Sequence, residues 1–323
     1  MRRGARLLAG ALLALLAPRP ACAAAPRTFA LLVGCTTYPF LARALDAATY
    51  DARVRLRGPE ADVAAFADVL TTTLAVPRAH VTTLVGWDDR APLENPTREN
   101  VLRGLLRLAR TVAPGDRVVF LFAGHGSRVP DGSGDEPDGF DEVLLPADVR
   151  TFEPEGRRVP GAILDDEVGQ RLRAIRDAGA TVWAVFDCCH AGTMARGGDG
   201  PTRARDLPGA LLGVPAPATR GAPDASPGAA DGDDLRGIAA TYAVGPAARA
   251  VEMRLPRGAP DAPWRGLLSF ALVEDLRRTR GAGDLAALDV RLAAAYDAAG
   301  FHGASPFTEG DRGLAPSGPG RVV

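Results

Sequence analysis

Apolar residues fall into two kinds of run along this chain. The first kind is short, unbroken and rich in β-branched and aromatic residues: Thr28–Gly34, Val81–Val85, Asp116–Ser127, Thr181–Gly192 and Gly237–Val244. Such runs predict buried strands, and Glu142–Ala147 predicts a shorter extended piece. The second kind has helical spacing. Gly58-Pro59 opens one such stretch, with Val63, Phe66, Val69 and Leu70 on one face. Thr97 is placed to cap a second, in which Val101, Leu102, Leu105, Leu108 and Val112 form a stripe that Pro114-Gly115 ends. Asp165-Asp166-Glu167 precede a third, with Val168, Leu172 and Ile175 buried. Leu267–Arg277 and Leu285–Tyr296 make the last two. Strands alternating with helices predict an α/β fold: a mainly parallel central sheet flanked by helices on both faces.

Three stretches break the pattern. Thr36–Arg57 and Pro130–Asp141 read as loops. Residues 193–236 are rich in Gly, Pro, Ala, Asp and Arg, and read as a flexible linker. The expected organisation is therefore a larger region over 24–192, the linker, and a smaller region over 237–323 that completes the same sheet. Residues 1–23 look like a signal peptide. Arg2, Arg3 and Arg6 supply the positive start, Leu7–Ala17 an apolar core too short to span a bilayer, and Ala21-Cys22-Ala23 a small-residue cleavage site. The expectation is export to the periplasm or the medium, with no membrane attachment of the mature form.

A net charge of −1 gives no electrostatic support for a nucleic-acid partner. Beyond the leader the cysteines are Cys35, Cys188 and Cys189, an odd number that leaves at least one free thiol. Two strand ends carry chemistry. One ends in Asp187-Cys188-Cys189-His190, the other in His125 between Gly124 and Gly126. In an open parallel sheet, ligands bind at the carboxyl ends of the strands. A thiol and an imidazole on adjoining ends make a nucleophile and its base. An inert Cys189 packed as a small hydrophobe and a core His125 are the plainer alternatives. The glycines flanking His125 argue for exposed backbone instead.

These stretches, AGHGS at Ala123–Ser127 and DCCHAG at Asp187–Gly192, resemble the signatures of caspase-like cysteine peptidases, family C14, and of their metacaspase branch. The opening strand, Gly58–Val63, DEVLLPAD and ILDDE match in the same order, so the resemblance spans most of Phe29–Glu309. It implies a caspase-like fold and a cysteine endopeptidase acting on peptides or proteins. Cys189 is then the nucleophile, His125 the base, and the backbone N–H groups of Gly126 and Cys189 the oxyanion hole. Cys188 is assigned to packing and His190 to the turn.

The resemblance also implies that Asp187 and Asp62 hold a basic P1 side chain. Two acids suit an Arg guanidinium and repel an Asp. Asp62 stands in a degraded motif, Pro59-Glu60-Ala61-Asp62, and an exposed acid in a helix's first turn is an equal reading. The chemistry needs no cofactor. Ca²⁺ is a possible activator through Asp148, Asp165 and Asp166, but a fourth acidic position is Arg196 here, and Asp165 and Asp166 also serve as helix-start acids. Arginines at 196, 203, 205, 220 and 236 lie in the linker, where self-cleavage is expected. The reading from another class is a catalytically silent caspase-like domain that binds protein.

Overall fold

The twelve strands and seven helices lie in a computed structural model that describes residues 25–132, 139–189, 202–215, 235–245, 248–302 and 304–316. The expected signal peptide, His190 and Arg196 lie outside the described residues. In chain order the strands are β1 (Thr28–Gly34), β2 (Val81–Val85), β3 (Arg117–Ala123), β4 (His125–Pro130), β5 (Phe140–Leu145), β6 (Ile163–Leu164), β7 (Thr181–Asp187), β8 (Arg203–Ala204), β9 (Ile238–Tyr242), β10 (Val251–Arg254), β11 (Trp264–Gly266) and β12 (Phe307–Gly310). The helices are α1 (Pro39–Ala44), α2 (Ala47–Thr49), α3 (Pro59–Asp68), α4 (Arg98–Thr111), α5 (Asp165–Asp177), α6 (Leu267–Thr279) and α7 (Leu285–Ala298).

The main sheet has the order β12-β9-β7-β3-β1-β2. Every pairing in it is parallel except β12 with β9. Its central strands are buried on both sides, which is why they read as continuous apolar runs. Side chains alternate between two cores. Phe29, Leu31 and Val33 of β1, Phe120 and Phe122 of β3, and Val182, Ala184 and Phe186 of β7 share one cluster with Val101 and Leu105 of α4 and Leu172 of α5. Ala30 and Leu32, Val119 and Leu121, and Trp183 and Val185 share the other with Val63 and Phe66 of α3, Leu272 of α6 and Leu288 of α7. The caspase-like arrangement, helices on both faces of a mainly parallel sheet, is thus present, and β9 and β12 of the smaller region extend the sheet of the larger one.

Several local features differ from the sequence pattern. The run Asp116–Ser127 is two strands, not one. β3 ends at Ala123 in the main sheet, and His125 starts β4, which pairs antiparallel with β5 from His125↔Leu145 to Pro130↔Phe140. The break falls at Gly124, where a Cβ would crowd the Phe122 ring and Cys35. Part of the expected Pro130–Asp141 loop is therefore hairpin. Thr36–Arg57 contains α1, α2 and a wider turn over Tyr50–Val54. Within the 193–236 stretch, residues 202–215 are ordered: β8 adds to β10, and Leu207, Leu212 and Val214 are buried in the first core. Scarce apolar residues suggested a flexible linker, but residues 202–215 pack these three side chains into the core and add a strand to β10.

Candidate active site

The alternation of β7 continues past its last paired residue. Cys188 joins the core on the α4 and α5 side, and Cys189 the core on the α3 and α6 side. Adjacent cysteines therefore face opposite ways, and both are free thiols. Gly126 lies directly against Cys189: a Cβ on Gly126 would overlap the Cys189 carbonyl oxygen. Strand pairing explains the approach, because Ala123 of β3 is in register with Asp187 of β7.

The backbone N–H of Gly126 and that of Cys189 donate to one and the same acceptor, the carbonyl oxygen of Arg205, at 3.1 and 3.3 Å. The Arg205 side chain is fully buried and is ringed by acids. Its guanidinium bonds Asp62 at 2.5 Å, Asp187 at 3.0 Å and Glu252 at 3.6 Å. Asp62, from the first turns of α3, also accepts from Arg265 Nε at 2.7 Å and from the Gly266 N–H at 2.9 Å. It is completely buried, so the exposed-acid reading does not hold. Asp187 is fixed by the N–H and the hydroxyl of Ser269, at 2.9 and 2.6 Å. Glu252 accepts from the N–H groups of Arg57 and Gly58 at 2.8 and 2.9 Å. Burial pushes the carboxyls of Asp62 and Glu252 up, and the Arg205 charge pulls both back. Burial likewise opposes the charge on Arg205, but Asp187, Asp62 and Glu252 outweigh it and raise its pKa.

The chain around Arg205 is extended through the site. Arg203 and Ala204 pair antiparallel with Glu252 and Val251, and the Arg205 N–H donates to the Ala250 carbonyl at 2.9 Å. The Arg203 guanidinium bonds the carbonyls of Asp51 and Arg55 and lies over the Trp264 ring. Beyond Arg205, Asp206 meets Arg249 at 3.4 Å, and the Leu207 N–H donates to the Gly126 carbonyl at 2.9 Å.

His125 is fully buried beside Tyr38, whose hydroxyl accepts its backbone N–H. Its Nε2 lies 2.7 Å from the Val54 carbonyl. A carbonyl can only accept, so Nε2 carries the proton and Nδ1 the lone pair of the neutral ring. Nδ1 is buried with no hydrogen-bond partner among the described residues. Burial lowers the His125 pKa from 6.5 to about 4, against the pull of the carbonyls of Val54 and Arg205. The Cys189 sulfur accepts from the Ala250 N–H at 3.0 Å. Burial pushes its pKa up, and the Asp206 carboxylate adds to the rise.

The family model for the metacaspase, peptidase C14 domain matches residues 30–196, just over half of the chain. The chain belongs to that family. It is 35% identical over 141 residues to metacaspase-1 of Coccidioides immitis, covering 44% of this chain and 29% of the relative. It is 37% identical over 139 residues to metacaspase-1B of Aspergillus terreus, covering 43% and 34%. The match thus spans about a third of the length of these curated relatives. Among solved structures, caspase-1 of Spodoptera frugiperda superposes with a TM-score of 0.52 at 12% identity, covering 88% of this chain and 86% of that one. Protein GSU0716 of Geobacter sulfurreducens gives 0.57 at 19% identity, covering 91% and 99%. These likenesses support the caspase-like fold.

The structure of this family member gathers His125, Gly126, Asp62, Asp187 and Cys189 around Arg205. It does not gather Asp148, Asp165 and Asp166 in a metal site. Asp148 accepts the Arg98 N–H at 2.8 Å, while Asp165 and Asp166 stand in the first turn of α5. Among the described residues no group of three or more His, Cys, Asp or Glu side chains is placed together to hold a metal ion. Among the participants that carried no signal in the sequence are Glu252, Arg265, Gly266, Ser269 and the Val54 carbonyl. Each comes from far along the chain and carries no local signature. Gly266 matters because a Cβ there would collide with Asp187 and Arg205.

Proposed function

We propose that this chain is a cysteine endopeptidase that cuts after Arg or Lys and that the Arg205–Asp206 bond is its own first substrate. One observation carries the reading: Arg205 lies as a P1 residue would, its carbonyl on two N–H donors and its side chain among three acids. Cys189 is the nucleophile and His125 the base. The thiol proton passes to His125 Nδ1 as sulfur bonds to the Arg205 carbonyl carbon, and the charge on oxygen is held by the N–H groups of Gly126 and Cys189. The C–N bond to Asp206 then breaks, and its nitrogen takes the proton from His125. Water hydrolyses the thioester and leaves Arg205 as a carboxylate.

The acids Asp62, Asp187 and Glu252 face the cations Arg205 and Arg265. Without a P1 cation, three buried carboxylates would share one arginine, so the pocket favours a basic side chain over any neutral one. The buried thiol beside Asp206 describes a slow resting state. Removal of the Asp206 carboxylate and entry of water would both favour the thiolate. Residues 1–23 are read as a signal peptide, and the enzyme accordingly as exported. No step is assigned to calcium.

The purified chain and its Cys189→Ala variant, incubated side by side with the fragments sequenced, test the proposal. Fragments beginning at Asp206 from the wild type alone support it. Equal fragmentation of the two removes it. A scan of fluorogenic peptides differing at P1 tests the pocket, and absence of thiol-dependent turnover with any basic P1 favours the silent binding domain.

A further inference from the structure

Five arginines lie in the 193–236 stretch, and a pocket for P1 alone does not choose among them. The residues that follow each arginine do differ. Arg196 is followed by Gly197-Gly198, Arg203 by Ala204-Arg205, Arg220 by Gly221-Ala222 and Arg236 by Gly237-Ile238. Only Arg205, followed by Asp206-Leu207, has an acid and then a large apolar residue. Both are held by the protein.

Asp206 pairs with Arg249, on a side chain that is 30% exposed. Leu207 is fully buried in the core that also takes in Val129 of β4 and Val143 of β5. Its backbone is gripped at both ends: its N–H donates to the Gly126 carbonyl at 2.9 Å, and its carbonyl accepts from the buried Ser127 hydroxyl at 2.6 Å. Gly126 therefore binds on both sides of the scissile bond, donating to Arg205 and accepting from Leu207. A shift of the segment by one residue would leave Leu207 out of the core and the Ser127 hydroxyl without its partner.

We infer that the primed side of the site, built from Arg249, Gly126 and Ser127, selects the self-cleavage site by reading Asp206 at P1′ and Leu207 at P2′. This rests on the peptidase reading above. Leu207 and Asp206 are positioning residues: they fix which carbonyl enters the N–H pair. The same subsites define the protein substrates this site suits best, with a basic residue, an acid and an apolar residue in succession.

The test uses the full chain, with every new N-terminus identified by mass spectrometry and the rate at each bond measured. Leu207→Ala is expected to slow cleavage at Arg205 by about tenfold or more, as the loss of an apolar pocket contact does, and to move cutting to other linker arginines. Asp206→Lys and Arg249→Glu are each expected to slow it several-fold, and Asp206→Lys with Arg249→Glu together to restore most of the loss. Circular dichroism of each variant separates misfolding from mispositioning, and the charge reversal supplies a readout that a merely structural role would not move. Unchanged site and rate in all variants, or a double variant no better than the singles, overturns the inference. So does a wild-type chain that stays intact. Cys189-dependent hydrolysis of an Arg peptide by that same intact chain would show that the peptidase reading survives without it.

Discussion

Replacing Arg205 by alanine takes one guanidinium away from three carboxylates. Two of its contacts are hydrogen bonds donated by the charged group, to the Asp62 carboxylate at 2.5 Å and to the Asp187 backbone carbonyl at 3.1 Å, whereas the Asp187 and Glu252 carboxylates at 3.0 and 3.6 Å add ion pairing. Hydrogen bonds to charged groups are worth roughly 1.5–3 kcal/mol each, so the pair contributes roughly 3–6 kcal/mol to holding this bond in the site. At about 1.4 kcal/mol per factor of ten, cleavage between residues 205 and 206 should fall by about 10²–10⁴-fold in Arg205→Ala. Arg205→Lys keeps the charge but loses the fork that reaches two acids at once, and should fall between the two. A time course of fragment formation, with the new N-terminus at Asp206 counted by mass spectrometry, gives the rates. Trans hydrolysis of an Arg peptide should survive in Arg205→Ala, since the substitution empties the pocket of its own guanidinium and leaves Asp62, Asp187 and Glu252 in place. A cut at the same bond within threefold of the wild-type rate would refute the reasoning, because the acids would then contribute nothing to selecting Arg205.

Gly266→Ala puts a methyl group where Asp187 and Arg205 meet; it should lower kcat/KM for Arg peptides by about 5- to 150-fold through KM, as overpacking of about 1–3 kcal/mol implies, and an unchanged KM counts against the pocket. Gly126→Ala collides with the Cys189 carbonyl and displaces one N–H donor; a fall in kcat of about 10²–10³-fold is expected, with the fold checked by circular dichroism. His125 gives a pH signature. Its folded pKa of about 4 lies below the ordinary 6.5, so the unfolded chain binds the proton first as pH falls. Stability should therefore rise from pH 4 to 6.5 by about 3 kcal/mol, read by urea denaturation of Cys189→Ala. The further variant His125→Gln in that background should flatten this slope, and an unaltered slope would show that other groups cause it.

Much of this architecture was legible in the residue pattern, because strands buried on both faces must be continuously apolar and helices on a sheet must be striped. That is why β1, β2, β3, β7 and β9 stand close to the expected runs, and why α3 to α7 follow their stripes. The family resemblance assigned Cys189 and Asp187 to the site and Cys188 to packing, and strand alternation is what puts the two adjacent cysteines in opposite cores. The break at Gly124 was less visible: apolar content is the same on either side, and only the crowding of Phe122 and Cys35 marks the turn.

The linear order of residues determined which strands exist, which ends carry sulfur and imidazole, and which family the chain belongs to. Folding alone decided that Glu252, Ser269 and Gly266 would meet Asp62 and Asp187, and that Arg205, one of five linker arginines, would be enclosed among them. The physical reason is range. Hydrophobic periodicity acts between near neighbours and leaves its mark on the sequence, whereas a buried charge such as Asp62 finds Arg205 and Arg265 across 143 and 203 residues and leaves none.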